Sequence, residues 1–196
     1  MSTPGAAGED GRTARGAVRR RALIDATLSL LAREGVGAIT HRGVAGEAGV
    51  AAASVRYHFG TIDDLLIAAI TSAGREWAAT LAEVGPEDHL RAVSRLLADE
   101  ARGHRERAVA EFELYMLAAR RPALRDASRA WISLVIGPLD AELDDVGKLA
   151  VAAVVDGVCL QALLVDDPPD AATIEAVLRR TIGAAPDGAS AGPPPT

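Results

Sequence analysis

Apolar side chains in this chain recur three and four residues apart. No stretch alternates apolar and polar residues in the period of two that a half-buried strand needs. That regularity points to an all-α fold. Leu23, Ala26, Thr27, Leu30 and Leu31 make one stripe on a helix from about 17 to 33, and Gly35 is its natural stop. A second helix begins after Thr40, a hydroxyl N-cap, and runs to Glu47 and Ala48. A third covers 52–59. Gly60 ends it, and Thr61 caps a fourth with Asp63 and Asp64 in its first turn. Further helices are expected at about 87–102, 105–120, 122–139 and 145–165, and from the Asp170 cap through Ile182. The expectation is about nine helices and no strand.

With 49% apolar residues the chain can bury a core. Its ends differ from its middle. Residues 1–14 are expected to be a disordered basic arm and residues 185–196 a disordered tail, because neither carries enough apolar surface to offset the entropy of ordering. A single cysteine, Cys159, excludes a disulfide framework and a multi-cysteine zinc site; it reads as buried and inert. The four histidines show no metal-ligand spacing, and there is no Gly-rich phosphate loop or nucleophile–base pair. Neither an enzyme, a metal nor a cofactor is expected. The N-terminus lacks the apolar core of a signal peptide. The most apolar run, Leu149 to Val165, is broken by Asp156 and Gln161 and is shorter than a bilayer span of about 20 residues. A soluble cytoplasmic protein is expected.

The formal charge is −6, which taken alone argues against a nucleic-acid partner. It is unevenly spread. Residues 1–60 hold eight arginines against five acids, or +3, and the rest of the chain carries −9. Such asymmetry hints at an anionic partner for the basic part. The two short helices around Gly49 lie in that part and have the dimensions of a helix-turn-helix. Val44, Val50 and Val55 can lock them together, while Ala45 and Ala48 allow close approach. The start of the second helix then faces outward, able to reach base edges in a major groove. Thr40, Ser54, Tyr57 and His58 suit phosphate contacts, and Arg42 and Arg56 can grip phosphate or fork onto guanine. Arg12, Arg15, Arg19, Arg20 and Arg21 lie just upstream, where a flexible basic arm could reach the minor groove or the backbone. Geometry alone leaves open an ordinary helical hairpin with solvated arginines.

The run from Thr40 to Leu66 (THRGVAGEAGVAAASVRYHFGTIDDLL) resembles the DNA-binding signature of the TetR, or tetracycline-repressor-like, regulators. The preceding Ala-Arg-Glu-Gly-Val-Gly-Ala-Ile fits as well. The resemblance is specific over about 17–66 and only architectural beyond. It implies a three-helix DNA-binding domain at 15–61 and a helical effector-binding and dimerisation domain at 62–184. Arg42 matches a base-reading position, and Ala52, Ala53 and Ser54 match the base-facing start of the recognition helix. Tyr57 and His58 match phosphate or base-methyl contacts. Thr40, His41 and Arg56 complete the expected DNA-facing set. The chain departs from the family in having Arg56 where Tyr is usual and Ile62 where Lys is frequent. With alanines facing the bases, thymine-methyl contact and DNA shape carry more of the specificity.

The resemblance also implies an effector pocket and a dimer seam in the acidic part. Candidates to line a pocket are Trp77, Leu96, Glu100, His104, Phe112, Tyr115, Met116 and Trp131, with Leu81 and Leu134 beside them; the bland alternative is that they fill the core. Glu100, His104, Glu111 and Glu113 could hold a polar or cationic effector. The helix at 145–165 is apolar almost all round and needs cover on several sides. With 170–184 it would form a four-helix seam between two copies. The expected protein is a homodimeric, effector-responsive regulator, most readily a repressor, on a pseudo-palindromic double-stranded DNA site, its effector an unidentified small molecule. The alternative is a helical protein-interaction adaptor that binds no DNA.

Overall fold

The structure is a computed structural model and describes residues 6–139 and 143–183. Among these residues there are nine α-helices and no strand. They are α1 (Ala6–Glu34), α2 (His41–Glu47), α3 (Ala52–His58), α4 (Ile62–Ala82), α5 (His89–Gly103), α6 (Arg105–Arg120), α7 (Arg125–Ile136), α8 (Asp145–Ala162) and α9 (Ala171–Gly183). The expected helix at 122–139 is α7 with a 3-10 turn at each end, Pro122–Leu124 and Gly137–Leu139.

Local chemistry sets the boundaries. The Thr40 hydroxyl accepts from the Gly43 amide at 3.0 Å and starts α2. Thr61 and Asp64 form a reciprocal capping box before α4, with bonds of 2.9 and 3.1 Å. Asp144 caps α8 at 2.8 Å and Asp170 caps α9 at 2.8 Å. The side chain of Thr173, and then its amide, hold the Asp170 carboxyl below the usual carboxylate range. Between α2 and α3 the backbone turns through Gly49 at φ 63, a left-handed conformation that side chains disfavour.

One expectation fails at the N-terminus. The segment 6–14 is not an arm but the first turns of α1, so Arg12, Arg15 and Arg19 to Arg21 ride on a helix. Residues 1–5 and the expected tail at 185–196 lie outside the described residues.

The chain forms two compact units, one of Met1–Glu76 with His104–Trp131, the other of Trp77–Gly103 with Ile132–Thr196. Compaction therefore does not follow the expected division at residue 62. Leu114 and Ala118 of α6, with Leu124 after it, join the core that Leu23, Leu30, Leu31, Val44, Val55, Leu65 and Leu66 build. These leucines and valines are buried, most of them completely. In the second unit Val93, Val151, Ile174 and Leu178 are wholly buried, and α9 packs on α5 and α8. Yet α8 is not covered all round. Val146 and Leu149 are 72% and 71% exposed, and Leu164, just past its end, is 75% exposed. No helix among the described residues is long and apolar enough to cross a membrane.

Candidate nucleic-acid interface

Seven residues make α2 and seven make α3, lengths too short for either to persist alone in water. They persist here because Val44 and Val55, both fully buried, anchor each into the core below. Val50 is half-buried in the turn, and its amide donates to Ala45 at 2.9 Å. With Val55 pointing in, Ala53, Arg56 and Tyr57 are left on the exposed face, Tyr57 at 85%. The Tyr57 ring therefore packs against little of the core and is open to solvent. Its ring meets His58 edge-on with centroids 5.1 Å apart.

The other DNA-facing candidates are placed unevenly. Arg42 is exposed at the start of α2, and neither it nor Arg56 makes an ion pair among the described residues. Ala52, Ser54 and His58 are half-buried. Thr40 uses its oxygen as the cap of α2, which leaves the hydroxyl proton free to donate outward. His41 is half-buried, and its Nε2 is shielded without a hydrogen-bond partner among the described residues. The arginines of α1 are partly engaged. Arg20 lies 4.8 Å over the Phe59 ring. Arg21 pairs with Asp25 and with Glu76, each at 2.8 Å, and these carboxylates hold its guanidinium above its ordinary pKa. Arg19 is left exposed on the same helix.

Two supports of the motif escape a local reading. Glu47 at the end of α2 accepts from Arg33 at 2.8 Å and from the Ser29 hydroxyl at 2.9 Å, tying α2 back to α1. Those donors, Arg33 first, lower the Glu47 carboxyl to about 2. Gly43 is the second. A Cβ there would stand 2.4 Å from the Ala38 carbonyl oxygen, so α2 can lie this close to the preceding turn only with glycine.

The pocket candidates are divided between the two units. Trp77, Leu96 and Glu100 belong to the second unit. His104 is exposed at the cap of α6, Met116 is 62% exposed and Phe112 is half-buried. Tyr115 and Trp131 do meet, in a cleft of ≈ 260 Å³, open space included, between α4, α6 and α7 of the first unit. Ile70, Ala73, Glu111, Leu114 and Ser128 complete its wall. Ser128 is 5% exposed, and neither its Oγ nor Trp131 Nε1 has a hydrogen-bond partner among the described residues. The sequence pattern does not single out Ser128. Its only signal in the sequence is that it lies three residues before Trp131, on the same helix face.

Comparison with known proteins bears on both halves. The family "Bacterial regulatory proteins, tetR family" matches residues 23–69, and "Tetracyclin repressor-like, C-terminal domain" matches residues 84–184. The HTH-type transcriptional regulator BetI of Agrobacterium fabrum is 28% identical over 174 residues, covering 82% of this chain and 84% of its own. A solved member of the TetR family from Streptomyces coelicolor is 39% identical with a TM-score of 0.74, over 84% of this chain and 98% of that one. The multidrug binding protein EbrR, solved with ethidium, is 37% identical with a TM-score of 0.73, over 84% and 98% of the two chains.

Proposed function

The chain belongs to the tetR family of bacterial regulatory proteins, and on that premise we propose that it is a homodimeric, ligand-responsive repressor of a pseudo-palindromic operator. It is a DNA-binding transcriptional regulator of a family whose members are generally not enzymes. The observation that carries the proposal is the outward face of α3, with Tyr57 at 85% exposure above a buried Val55. Two such faces, one per protomer, would enter successive major grooves. Arg42 and the start of α3 (Ala52, Ala53, Ser54) would read bases, while Thr40, His41, Arg56, Tyr57 and His58 would touch phosphates or thymine methyls. A protein with this task works in the cytoplasm.

The uncovered apolar face of α8 and α9 supports the dimer. Val146, Leu149, Leu160, Leu164 and Val177 are all exposed in the single chain, more apolar surface than a lone α8–α9 pair should leave in water. The cleft of α4, α6 and α7 supports an effector site. EbrR has been solved with ethidium, malachite green and proflavin, all aromatic cations. The Tyr115 and Trp131 rings suit the same class here, beside Glu111, whose carboxylate is paired with Arg107 at 3.2 Å. The cleft is open and encloses little space of its own, far less than the ~300–1,000 Å³ of most ligand sites. A ligand of that size would therefore favour a state with these helices further apart, and it shifts DNA affinity only by its preference for that state. A mobility shift on the DNA upstream of the protein's own gene tests the core of the proposal. Wild type should bind, and Arg42→Ala and Tyr57→Ala should each weaken binding; equal binding by all three would sink it.

A further inference from the structure

Helix α6 touches the DNA-reading motif on both of its flanks. Before α2, the backbone amide of Val36 donates to Glu113 Oε2 at 2.7 Å, across 77 residues of sequence. Both carboxylate oxygens of Glu113 also sit 3.2 Å from where a Cβ on Gly35 would be. The carboxylate is thus seated on the first turn after α1, and it satisfies the leading amide of the Val36–Ala38 3-10 turn that delivers the chain to Thr40. After α3, Arg121 at the end of α6 donates to Asp63 in the first turn of α4 at 2.8 Å. Eight residues, or about 12 Å of helix, separate the two anchors. The motif from Val36 to Asp63 is bracketed by one helix.

The anchors are unequal. Glu113 is half-buried and accepts from a backbone amide that the turn itself leaves without a partner. Arg121 and Asp63 are 44% and 36% exposed, so water and salt screen them. The neighbouring residues Glu111, Leu114 and Tyr115 of the same helix line the cleft. Glu113 itself is absent from that lining and turns to the motif instead.

We propose that Glu113 is a positioning residue for operator binding: its carboxylate fixes the turn that sets the angle of α2, and α3 with it. Glu113 touches no DNA. Its removal lowers the fraction of molecules whose motif is held for docking, and apparent affinity falls by that fraction. A ligand that displaces α6 would pull on the same bond. The proposal rests on the reading of α2 and α3 as the DNA-reading motif.

The test measures affinity for the upstream DNA at several salt concentrations, and hydrogen exchange of the Val36 amide in the free protein. Glu113→Ala is expected to weaken operator binding by about tenfold, the scale of one hydrogen bond to a charged group. The slope of log affinity against log salt should stay at the wild-type value, since no phosphate contact is lost. The Val36 amide should exchange faster. Arg121→Ala should change affinity less than threefold. Unchanged Val36 exchange would overturn the proposal. So would unchanged affinity, or a slope reduced by about one as in loss of a phosphate contact. If the alanine chain does not fold, Glu113→Gln decides. A neutral amide accepts more weakly than a carboxylate, so Val36 should still exchange faster than in wild type, and equal exchange overturns the proposal. A wild-type chain that binds no DNA removes the DNA reading, while Val36 exchange still decides whether Glu113 holds the turn.

Discussion

Helices α3 and α8 both present a face to water, and the two faces are chemically opposite. On α3 the exposed side chains include Arg56 and Tyr57, set on a core that buries Val55 completely. On α8 they are Val146, Leu149 and Leu160, beside a buried Val151 and Val155. Neither face is accounted for by the packing beneath it. A basic and hydroxyl-bearing face awaits an anion whose contacts can be exchanged for water and salt. An apolar face awaits another apolar face. On the proposed reading, one all-helical architecture carries two partner surfaces, told apart only by which side chains are left outside.

The comparison breaks most visibly at α8. Replacing Leu149 and Leu164 together by Asp should weaken the dimer by ~10⁴-fold or more, since each buried leucine contributes about 1.5–3 kcal/mol and the two-fold axis counts it twice. Sedimentation equilibrium reads the mass directly, and an unaltered mass would mean that the face is not the seam. Gly43→Ala comes next. Its Cβ would press on the Ala38 carbonyl, so the motif should lose about 1–3 kcal/mol in a thermal melt, together with operator binding. Gly46→Ala is the control, because a Cβ there meets nothing within 4 Å, and it should be neutral or slightly stabilising.

Smaller effects sharpen the α3 side. Arg56→Ala should lower the salt slope of operator affinity by about 0.9, one phosphate's worth, without changing the melting temperature. Acid should act through Glu47. Its carboxyl titrates near 2 when folded against 4.5 ordinarily, so the stabilisation is complete above 4.5 and is lost as pH falls toward 2. In Glu47→Gln that portion of the acid sensitivity should vanish. A melt series across the window checks it, and because the group is at the surface the change should be slight.

What the sequence made legible was local. Thr40, Thr61 and Asp170 are caps because a short oxygen side chain satisfies amides two or three residues on, and Gly49 turns the chain because it tolerates φ 63. These need no knowledge of the fold. The Glu113 bond to Val36, the return of α6 to the first core and the Ser128 wall of the cleft depend on residues far apart in the chain, which periodicity does not bring together. The basic N-terminus misled for a related reason. Its composition suggested an arm, yet its residues continue α1, whose Leu23, Ile24 and Leu31 are buried in the core.

The central claim is that a chain of net charge −6 grips DNA through α2 and α3 of its first unit. The most direct measurement is the affinity of wild type and Tyr57→Ala for the upstream DNA across a salt series at pH 7. The account predicts a linear fall of log affinity with log salt for wild type, and weaker binding at every salt concentration for the variant. A wild-type affinity indifferent to salt, or a variant indistinguishable from it, would contradict the claim.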